Sequence, residues 1–383
     1  SPFSSEYQHL YTSCFRQNST KILSITFQIE LTIYINHNNI ALYKNSEGNL
    51  MVQKNWVVMI HDAAYDAKRI VHELRKQNFP IYHITRTINF FDKTLNIGLK
   101  IIRAKGALYH VNVALQDAFI TLFTKKILGK APVIVHCRGS DLRTDLNKWQ
   151  FRSIVKFNVK MADQVFVADL DTLERAKELN PTAVWIPISV DLDVFFPKDD
   201  PPSNGNILKL FYPNIITEDI RGSLSFLKAF NIFVKEYENV VLHIIKYGAD
   251  LNYAMQLCKK AGTLNKQVKF IPPIPHEYIV DTYRNHDLTI GVFKSGIVPT
   301  VGLESWAVKR PILNYIDPKL YPNFEYISAR TIDEIVEALH KLTDIKTRRR
   351  LADAGYNYVT QYHDVKKIAK KIKKYYLYLL EKN

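Results

Sequence analysis

The stretch APVIVHCRGSDLR, residues 131–143, contains the pattern that decides the fold. Its apolar run, 133–137, has the composition of a buried strand and leads into a turn that holds Arg138, Gly139, Asp141 and Arg143. A strand that ends in such a polar turn either caps the following helix or presents side chains to a ligand. Both interpretations fit this stretch, so the rest of the chain has to distinguish them.

The same pattern recurs from residue 51 onward. Helical periods separate the apolar runs; in the segment 65–76, for example, Ala67, Ile70, Val71 and Leu74 fall on one face. Buried strands that alternate with helices predict βαβ units and parallel sheets. The predicted strands form a first series at 56–60, 81–85, 108–113, 133–137, 165–168 and 184–188, and a second at 207–212, 240–245, 268–271, 288–292 and 311–316.

A segment rich in Pro, Asp and Asn, 189–206, separates the two series. The sequence therefore predicts an α/β protein with two Rossmann-like, doubly wound domains that face each other across a cleft. Ligands of such sheets bind at the carboxyl ends of the strands. We place the domains at 51–190 and 207–362, the linker at 191–206, and a last helix at 363–383 that packs back on the first domain. Residues 1–50 match neither series and are treated as an appendage, in which an alternating run before the polar segment 36–39 predicts a hairpin.

The bulk composition is that of a globular protein and not of a disordered or membrane-spanning one. The chain has 383 residues, of which 47% are hydrophobic and 23% charged, which is typical of a globular protein. Its three cysteines lie far apart and match neither a disulfide framework nor a metal-ligand spacing, so we expect a cytoplasmic location. The formal net charge of +15 favours anionic partners. Because the basic residues are spread along the chain and no nucleic-acid motif occurs, we expect no nucleic-acid partner.

The segment 291–313 carries the strongest indication of chemistry. A strand leads into a loop that contains Gly296, Pro299 and Gly302, and a short helix with Glu304 follows. Such a loop directs backbone N–H groups at a diphosphate, and the helix N-terminus adds a favourable dipole. Glu304 is placed to accept hydrogen bonds from ribose hydroxyls. The alternative is that Glu304 only complements the helix dipole while the glycines form a turn.

Several motifs, in order along the chain, resemble one enzyme family. They are VHCRGSD at 135–141, IPISVDLDVFFP at 186–197, RGSLSFLKAF at 221–230 and LESWAVKRPI at 303–312. From about residue 51 to 380 the chain resembles the GT-B glycosyltransferases of the large retaining family 4, also called group 1. Each motif is weak by itself, and their shared order over most of the chain makes the resemblance specific.

The resemblance implies a hexosyltransferase that moves a sugar from a nucleoside-diphosphate sugar to a glycan or lipid-linked acceptor with retention of configuration, without a metal or other cofactor. The second domain would bind the donor and the first domain the acceptor. Glu304 would hold the ribose, Arg221 the diphosphate, and His136 would face the donor sugar across the cleft; His136 and Arg221 are thus the candidate catalytic residues. The donor loop would add Gly296, Ile297, Val298, Thr300, Val301 and Gly302.

The chain departs from the family pattern at three places. Gly296 stands where the family has the first Glu of its motif, and Asn214 stands where it has an Arg that contacts phosphate, so Lys294 or Arg221 would have to substitute. His61 and Asp62 replace the glycine-rich loop of the first domain and, with Arg138, are acceptor-side candidates. The departures at Gly296 and Asn214 suggest one alternative, a degenerate non-catalytic partner subunit. A second and weaker alternative is a nucleotide-sugar epimerase, which shares the fold but whose motifs are not the ones matched here.

Several of these residues also have a purely structural interpretation. His136 alone is more typical of a satisfied core histidine, and Arg138 and Arg143 are placed to form local ion pairs with Asp141, which would cap the turn. The basic, amphipathic segment 92–106 is typical either of a packed helix or of a helix on an anionic membrane surface. Membrane contact there would make the protein peripheral on the inner face of a membrane.

Overall fold

The computed structural model describes residues 34–36, 40–44, 50–53, 56–63, 65–85, 96–198, 207–322 and 324–382. The chain forms two compact units, the first of which ends at Trp56. Its described part is an antiparallel sheet of β1 (Tyr34–Asn36), β2 (Ile40–Lys44) and β3 (Leu50–Gln53). The β1–β2 pairing confirms the predicted hairpin, although its earlier part, 22–33, lies outside the described residues. Because β3 runs through Gln53, the unit extends beyond the predicted end at residue 50.

The second unit begins at Val57 and contains two parallel sheets. The first sheet has the order β5-β4-β6-β7-β8-β9. Its strands are β4 (Val57–Ile60), β5 (Ile81–Ile84), β6 (Leu108–Asn112), β7 (Val133–Cys137), β8 (Gln164–Val167) and β9 (Val184–Trp185). The helices between them are α1 (Asp66–Lys76), α2 (Ile97–Arg103), α3 (Gln116–Thr121), α4 (Ser140–Arg143), α5 (Trp149–Met161) and α6 (Leu173–Leu179), with a π-helical segment at Leu122–Ile127 and 3-10 turns at Asp145–Asn147 and Leu170–Thr172.

The second sheet has the order β12-β11-β10-β13-β14. Its strands are β10 (Leu208–Tyr212), β11 (Val240–Ile245), β12 (Val268–Ile271), β13 (Leu288–Ile290) and β14 (Ile312–Leu313). The helices are α7 (Glu218–Arg221), α8 (Ser223–Phe233), α9 (Leu251–Lys260), α10 (Ile279–Arg284), α11 (Thr300–Ala307), α12 (Ile332–Lys341), α13 (Ile345–Tyr362) and α14 (Val365–Lys382), with a 3-10 turn at His276–Tyr278. Two parallel sheets with interleaved helices confirm the predicted α/β class.

Strand β4 shows why the sheets are covered on both faces. All four of its residues are buried; Val58 and Ile60 pack on one side, whereas Val57 and Met59 pack on the other against α1 and α14. An unbroken apolar run is what a parallel strand needs between two layers of helices. Each such side chain contributes about 1.5–3 kcal/mol through burial.

The last helix, α14, returns to the first sheet. Ile368, Ile372 and Tyr376 lie in the same apolar cluster as Val57 and Met59 of β4. The two places where the chain crosses between the domains lie side by side, because the amide of Val190 donates to the carbonyl of His363 at 2.7 Å. None of the helices in the described part of the chain is long and apolar enough to span a membrane.

Candidate functional site

A chain of buried polar side chains connects the two domains at the carboxyl end of the first sheet. Arg138, in the loop after β7, contacts Asp66 of α1 at 2.5 Å, and it also donates to Asn112 Oδ1 at the end of β6. The other Asp66 oxygen accepts from the amide of Ser189, at 2.6 Å, and from its hydroxyl. Ser189 belongs to the segment that enters the second domain. Asp66 is therefore fully satisfied and holds the start of that segment against α1.

Arg69, one turn further along α1, extends this chain into the second domain. Its Nη1 donates to the carbonyl of Ser189 at 2.7 Å, and its Nη2 donates to Glu304 Oε1 at 2.5 Å. Tyr283 donates to the other oxygen of Glu304 at 3.3 Å, and His276 Nε2 lies 3.2 Å from Oε1. Glu304 is only 3% exposed. The carboxylate predicted to hold ribose thus lies at the domain interface, where protein groups occupy both of its oxygens.

The rings beside Glu304 come from both domains. Tyr65 precedes α1 and stacks on His276 of the second domain with ring centroids 4.6 Å apart. Burial, followed by the charge of Glu304, raises the pKa of Tyr283 well above its ordinary value, so this phenol stays protonated and donates. The contact between the two domains beside Glu304 therefore includes an ion pair and a ring contact.

The predicted acceptor-side residues lie where β4 ends. Asp62 Oδ1 accepts from the amide of Ala67 at 3.0 Å and so caps the first turn of α1. The carbonyl of His61 accepts from Asn112 Nδ2 at 3.1 Å and lies 3.3 Å from His83 Nε2. Both residues thus order the entrance to α1, and their contact with an acceptor stays a prediction.

Three residues of the predicted donor site come together at the carboxyl ends of β10 and β13. Arg221 Nη1 donates to Asn214 Oδ1 at 3.2 Å, and Asn214 Nδ2 donates to the carbonyls of Ile290 and Gly291. The Arg221 carbonyl accepts from the amide of Phe293, which places Lys294 beside it. Lys294 lies 3.5 Å from Glu218 and its side chain is 45% exposed. Two cations and an amide thus form one cluster, named here the basic cluster (Asn214, Arg221, Lys294).

The loop before α11 explains the glycine at position 296. Gly296 has φ +72°, and a Cβ there would lie 3.1 Å from the Cβ of Asp317 and 3.2 Å from the ring of Tyr315. A glutamate would be strained at this position by its backbone and by these contacts. Gly302 is also packed closely, because a Cβ would lie 2.9 Å from Ile312 Cδ1. The departure from the family motif is therefore built into the backbone of this loop.

The backbone amides of the same loop are partly used inside the protein. The amide of Val298 donates to the hydroxyl of Tyr321 at 3.1 Å, and that of Gly302 donates to the carbonyl of Pro299 at 2.8 Å. The carbonyl of Ile297 accepts from Asn314. The helix N-terminus at Thr300 and Val301 is therefore the part of the loop that fits the predicted contact with phosphate.

His136 was predicted to face the cleft, but it lies in the core. It is completely buried; its Nδ1 is 3.3 Å from His110 Nε2 and its Nε2 is 3.3 Å from the carbonyl of Ile186. His110 in turn contacts the hydroxyl of Tyr376 on α14 at 2.6 Å. Burial, with a further contribution from Arg138, lowers the pKa of His136 well below its ordinary value. This placement fits the interpretation of a satisfied core histidine.

The turn of residues 138–143 is a capping structure whose arginines have other partners than expected. Asp141 accepts from the amides of Ala114 and Arg138, both at 2.8 Å, and so caps the turn as predicted. The Arg138 side chain pairs with Asp66, however, and Arg143 contacts Asp169 at 2.9 Å and Asp171 at 2.7 Å. The local ion pairs with Asp141 are thus replaced by pairs that connect the turn to other elements.

Residues of the interface that the sequence analysis missed are Asp66, Arg69, Ser189, His276 and Tyr283. One signal was present in α1, where Asp66 and Arg69 are three residues apart, on the same side of a helix whose apolar residues face the core. Charged side chains at such positions are usually solvated, so the sequence does not reveal that these two are buried. Among the described residues, no group of three His, Cys, Asp or Glu side chains is arranged to hold a metal ion.

Comparisons with known proteins agree with this architecture. No protein-family profile and no curated protein matches the sequence. Among solved structures, HepE of Anabaena in complex with UDP and glucose has a TM-score of 0.65 at 11% identity, covering 84% of this chain and 99% of HepE. Sucrose-phosphate synthase of Thermosynechococcus elongatus has a TM-score of 0.66 at 12% identity, covering 86% of this chain and 100% of that one.

A third similar structure carries a provisional assignment to another activity. It is a Listeria monocytogenes protein assigned provisionally as a UDP-N-acetylglucosamine 2-epimerase, with a TM-score of 0.56 at 14% identity, covering 83% of this chain and 95% of that one. At these identities the likeness concerns the fold. Together with the two parallel sheets and the interface between them, it shows that this chain has the GT-B fold.

Proposed function

We propose that this protein is a glycosyltransferase that uses a nucleoside-diphosphate sugar as donor. The observation that carries the proposal is the position of the basic cluster and Glu304, because the segment from β13 to α11 holds both Lys294 and Glu304 at the carboxyl end of the second sheet. Ligands of doubly wound sheets bind at this edge. The likeness to HepE, which was solved with UDP and glucose, favours a UDP-sugar as the first donor to test.

In the proposed reaction an acceptor hydroxyl oxygen forms a bond to the anomeric carbon of the sugar. The bond from that carbon to the diphosphate oxygen breaks, with retention of configuration, and the hydroxyl proton leaves with the nucleoside diphosphate or to solvent. Arg221 and Lys294 stabilise the negative charge that develops on the leaving diphosphate. Positioning of donor and acceptor in the cleft supplies the rest of the catalysis, without a metal or a cofactor.

Donor binding requires a change at the domain interface. The ribose hydroxyls reach Glu304 only when Arg69 releases it, since Arg69 and Tyr283 already donate to the two carboxylate oxygens in this structure. Arg69 and Glu304 belong to different domains, so a separation of the domains frees the carboxylate. We propose that the nucleotide binds to such an opened form and exchanges its ribose for the Arg69 guanidinium.

Thermal stabilisation by UDP-, GDP- and ADP-sugars tests the donor site. A ligand at a hundred times its dissociation constant adds about 2.7 kcal/mol of apparent stability. We expect one nucleotide series to raise the melting temperature, and we expect Glu304→Ala to abolish the rise. Glu337→Ala is the control, because this glutamate is exposed and pairs with Lys341 of the same helix. No rise with any series would contradict the proposal and favour a non-catalytic partner subunit.

The likeness to the Listeria protein makes epimerisation the second candidate function. Product analysis distinguishes it from transfer. A transferase releases nucleoside diphosphate and lengthens an added glycan or lipid-linked acceptor. An epimerase instead changes the sugar of its substrate without an acceptor. Nucleoside diphosphate that appears only when an acceptor is present is the result expected here.

We also propose that the protein contacts an anionic membrane surface. The part of the protein that would make this contact is formed by α2, α3 and the π-helical segment, and we call it the basic apolar surface. Lys125 Nζ donates to the carbonyls of Ile102 and Ala104, at 2.8 and 2.6 Å, and so joins the π-helical segment to the end of α2. Its exposed apolar side chains are Leu99, Ile102, Phe119, Phe123, Ile127 and Leu128.

Exposed cations lie on the same elements as these apolar side chains or just after them in the chain. They are Lys100, Arg103, Lys105 and Lys130. Contiguous apolar side chains of this size are unusual on a monomeric protein unless they meet a partner. Apolar residues that enter the acyl boundary and lysines that meet anionic headgroups are the combination typical of peripheral membrane proteins. A lipid-linked acceptor would be reached from such a position.

A further inference from the structure

A groove lined by aromatic rings lies beside the predicted donor loop. It has a volume of about 520 Å³ and is open to solvent. Trp185 of β9 lines it from the first domain, Phe324 from the segment after β14, and Tyr358 and Tyr362 from α13. The ring centroids of Tyr358 lie 5.0 Å from Tyr362 and 4.9 Å from Phe324, and Trp185 lies 5.9 Å from Tyr362. The rings thus form one continuous wall across the two domains.

The groove has polar groups but no free charge among its described lining residues. Asn357 and Gln361, both exposed on α13, contribute amide donors and acceptors at its rim. Glu325 is the charged side chain of the lining, and its carboxylate is paired with Arg350 at 2.9 Å. Because the described lining includes no lysine or arginine, the groove does not suit a phosphate or a nucleotide. Its chemistry instead suits a neutral ligand.

A neutral saccharide has the surface that matches this lining. One face of a pyranose ring carries polarised C–H groups, which pack on the electron-rich faces of Trp and Tyr rings, while the hydroxyls at its edge need amide donors and acceptors. Ligand sites at domain interfaces commonly combine a mainly apolar wall with a few polar groups in this way. Tyr362 is 40% exposed, so its ring is accessible to such a ligand.

The groove is also in the right place to serve the donor site. Tyr321 lines the groove and accepts a hydrogen bond from the amide of Val298 in the donor loop, at 3.1 Å. A second, small cavity shares Trp185, Tyr321 and Tyr358 with the groove and is also lined by Val298 and by Leu303, the residue before Glu304. We infer that this groove binds a saccharide portion of the acceptor, an inference that rests on the proposed transferase function for its biological role but not for its ligand chemistry.

Titration with neutral oligosaccharides tests this inference. Maltotriose, cellotriose and triacetylchitotriose are added to the 383-residue chain without nucleotide, and tryptophan fluorescence is followed. We expect at least one of them to give a saturable change that Trp185→Phe removes, and that is the same in low and high salt because the ligand is neutral. Tyr362→Ala should weaken binding by at least about tenfold. Tyr253→Ala, which removes an exposed tyrosine of α9, should leave binding unchanged.

Two outcomes would overturn the inference. One is that none of the three sugars binds to the wild type, and the other is that binding is equally strong in Tyr362→Ala. If Tyr362→Ala instead abolishes a dimer seen by sedimentation, the groove belongs to a second copy of the chain. Sugar binding without a nucleotide-dependent rise in melting temperature would support the groove and contradict the transferase. A nucleotide-dependent rise in melting temperature without sugar binding would support the transferase and contradict the saccharide site in the groove.

Discussion

The guanidinium of Arg69 lies 2.5 Å from the carboxylate of Glu304, and the pair joins the first domain to the second. The side chains are only 7% and 4% exposed, so each charge depends on the other for its stabilisation. Glu304 is also the residue that the sequence motif predicts for donor binding. The same carboxylate therefore has Arg69 as its charged partner inside the protein and, in the proposed function, a competing partner in the ligand.

The first prediction concerns the stability of the ligand-free protein. Arg69→Met leaves the buried carboxylate of Glu304 without its cation, and we expect the free energy of unfolding to fall by about 3–5 kcal/mol. The double variant Arg69→Met/Glu304→Gln should recover most of this loss. Chemical denaturation measures both values. Lys177→Met is the matched control, because the exposed pair of Lys177 and Glu174 should be worth no more than about 1 kcal/mol.

The second prediction concerns the competition between Arg69 and the nucleotide. If donor binding displaces Arg69 from Glu304, Arg69→Met removes the competitor, and UDP should bind about tenfold more tightly or better. Isothermal titration calorimetry with UDP, on the folded variant at low temperature, provides the dissociation constant. Weaker binding by Arg69→Met would show that this arginine contacts the ligand rather than competing with it.

The third prediction concerns the basic cluster. Arg221→Met removes the cation that is proposed to stabilise the leaving diphosphate, and we expect kcat to fall by about 10²–10³-fold. Lys294→Met should lower kcat in the same direction. Lys341→Met is the control, because Lys341 is exposed and pairs with Glu337 on α12. Equal kcat values for wild type and Arg221→Met would remove Arg221 from the mechanism.

The fourth prediction concerns pH. Burial lowers the pKa of His286 and of His363 to about 4, whereas an unfolded histidine has a pKa of about 6.5. At pH 7 both are uncharged in the folded protein and mostly uncharged in the unfolded chain. Below about pH 6.5 the unfolded chain takes up protons that the folded protein resists, so each histidine costs about 2 kcal/mol of stability between about pH 7 and about pH 5.

Denaturation midpoints at several pH values measure this effect. His363 Nδ1 donates to the carbonyl of Ile188 at 2.8 Å, so His363→Gln retains a polar donor there without a titrating group. Between about pH 7 and about pH 5, the free energy of unfolding should fall by about 2 kcal/mol less in this variant than in the wild type, because one of the two histidines is gone. An identical decline in variant and wild type would mean that His363 is not held in its uncharged form in the folded protein.

The fifth prediction concerns the basic apolar surface. Phe123→Ser/Leu128→Ser removes two exposed apolar side chains from the π-helical segment and the residue after it. We expect binding to vesicles that contain phosphatidylglycerol to weaken at least about tenfold, and binding of the wild type to decline in high salt. Ile232→Ser, on the exposed side of α8, is the control. Unchanged vesicle binding by the double variant would contradict the membrane proposal.

Local patterns were enough to predict most strands. The run 133–137 corresponds to β7 (Val133–Cys137), and 56–60 and 165–168 correspond to β4 and β8 with ends that differ by one residue. The reason is that a strand covered on both faces needs an unbroken apolar run, which can be seen in a few consecutive letters. Asp141 likewise caps its own turn, a contact within a few residues.

Contacts between distant parts of the chain could not be predicted in this way. His136 and Arg138 are two residues apart, yet the first lies in the core against His110 and the second pairs with Asp66. Which of them faces the cleft depends on the twist of the sheet and on the helices that cover it. The family motif, which concerns a short stretch, therefore predicted the wrong surroundings for His136.

By itself the sequence determined the two alternating series of strands and helices and the order of the motifs, because these features depend on neighbours along the chain. The tertiary structure decided what each functional side chain meets. Arg69 and Glu304 are 235 residues apart, and only the docking of two domains brings them together. Burial then turns this contact into a strong one, since charges removed from water must find partners inside the protein.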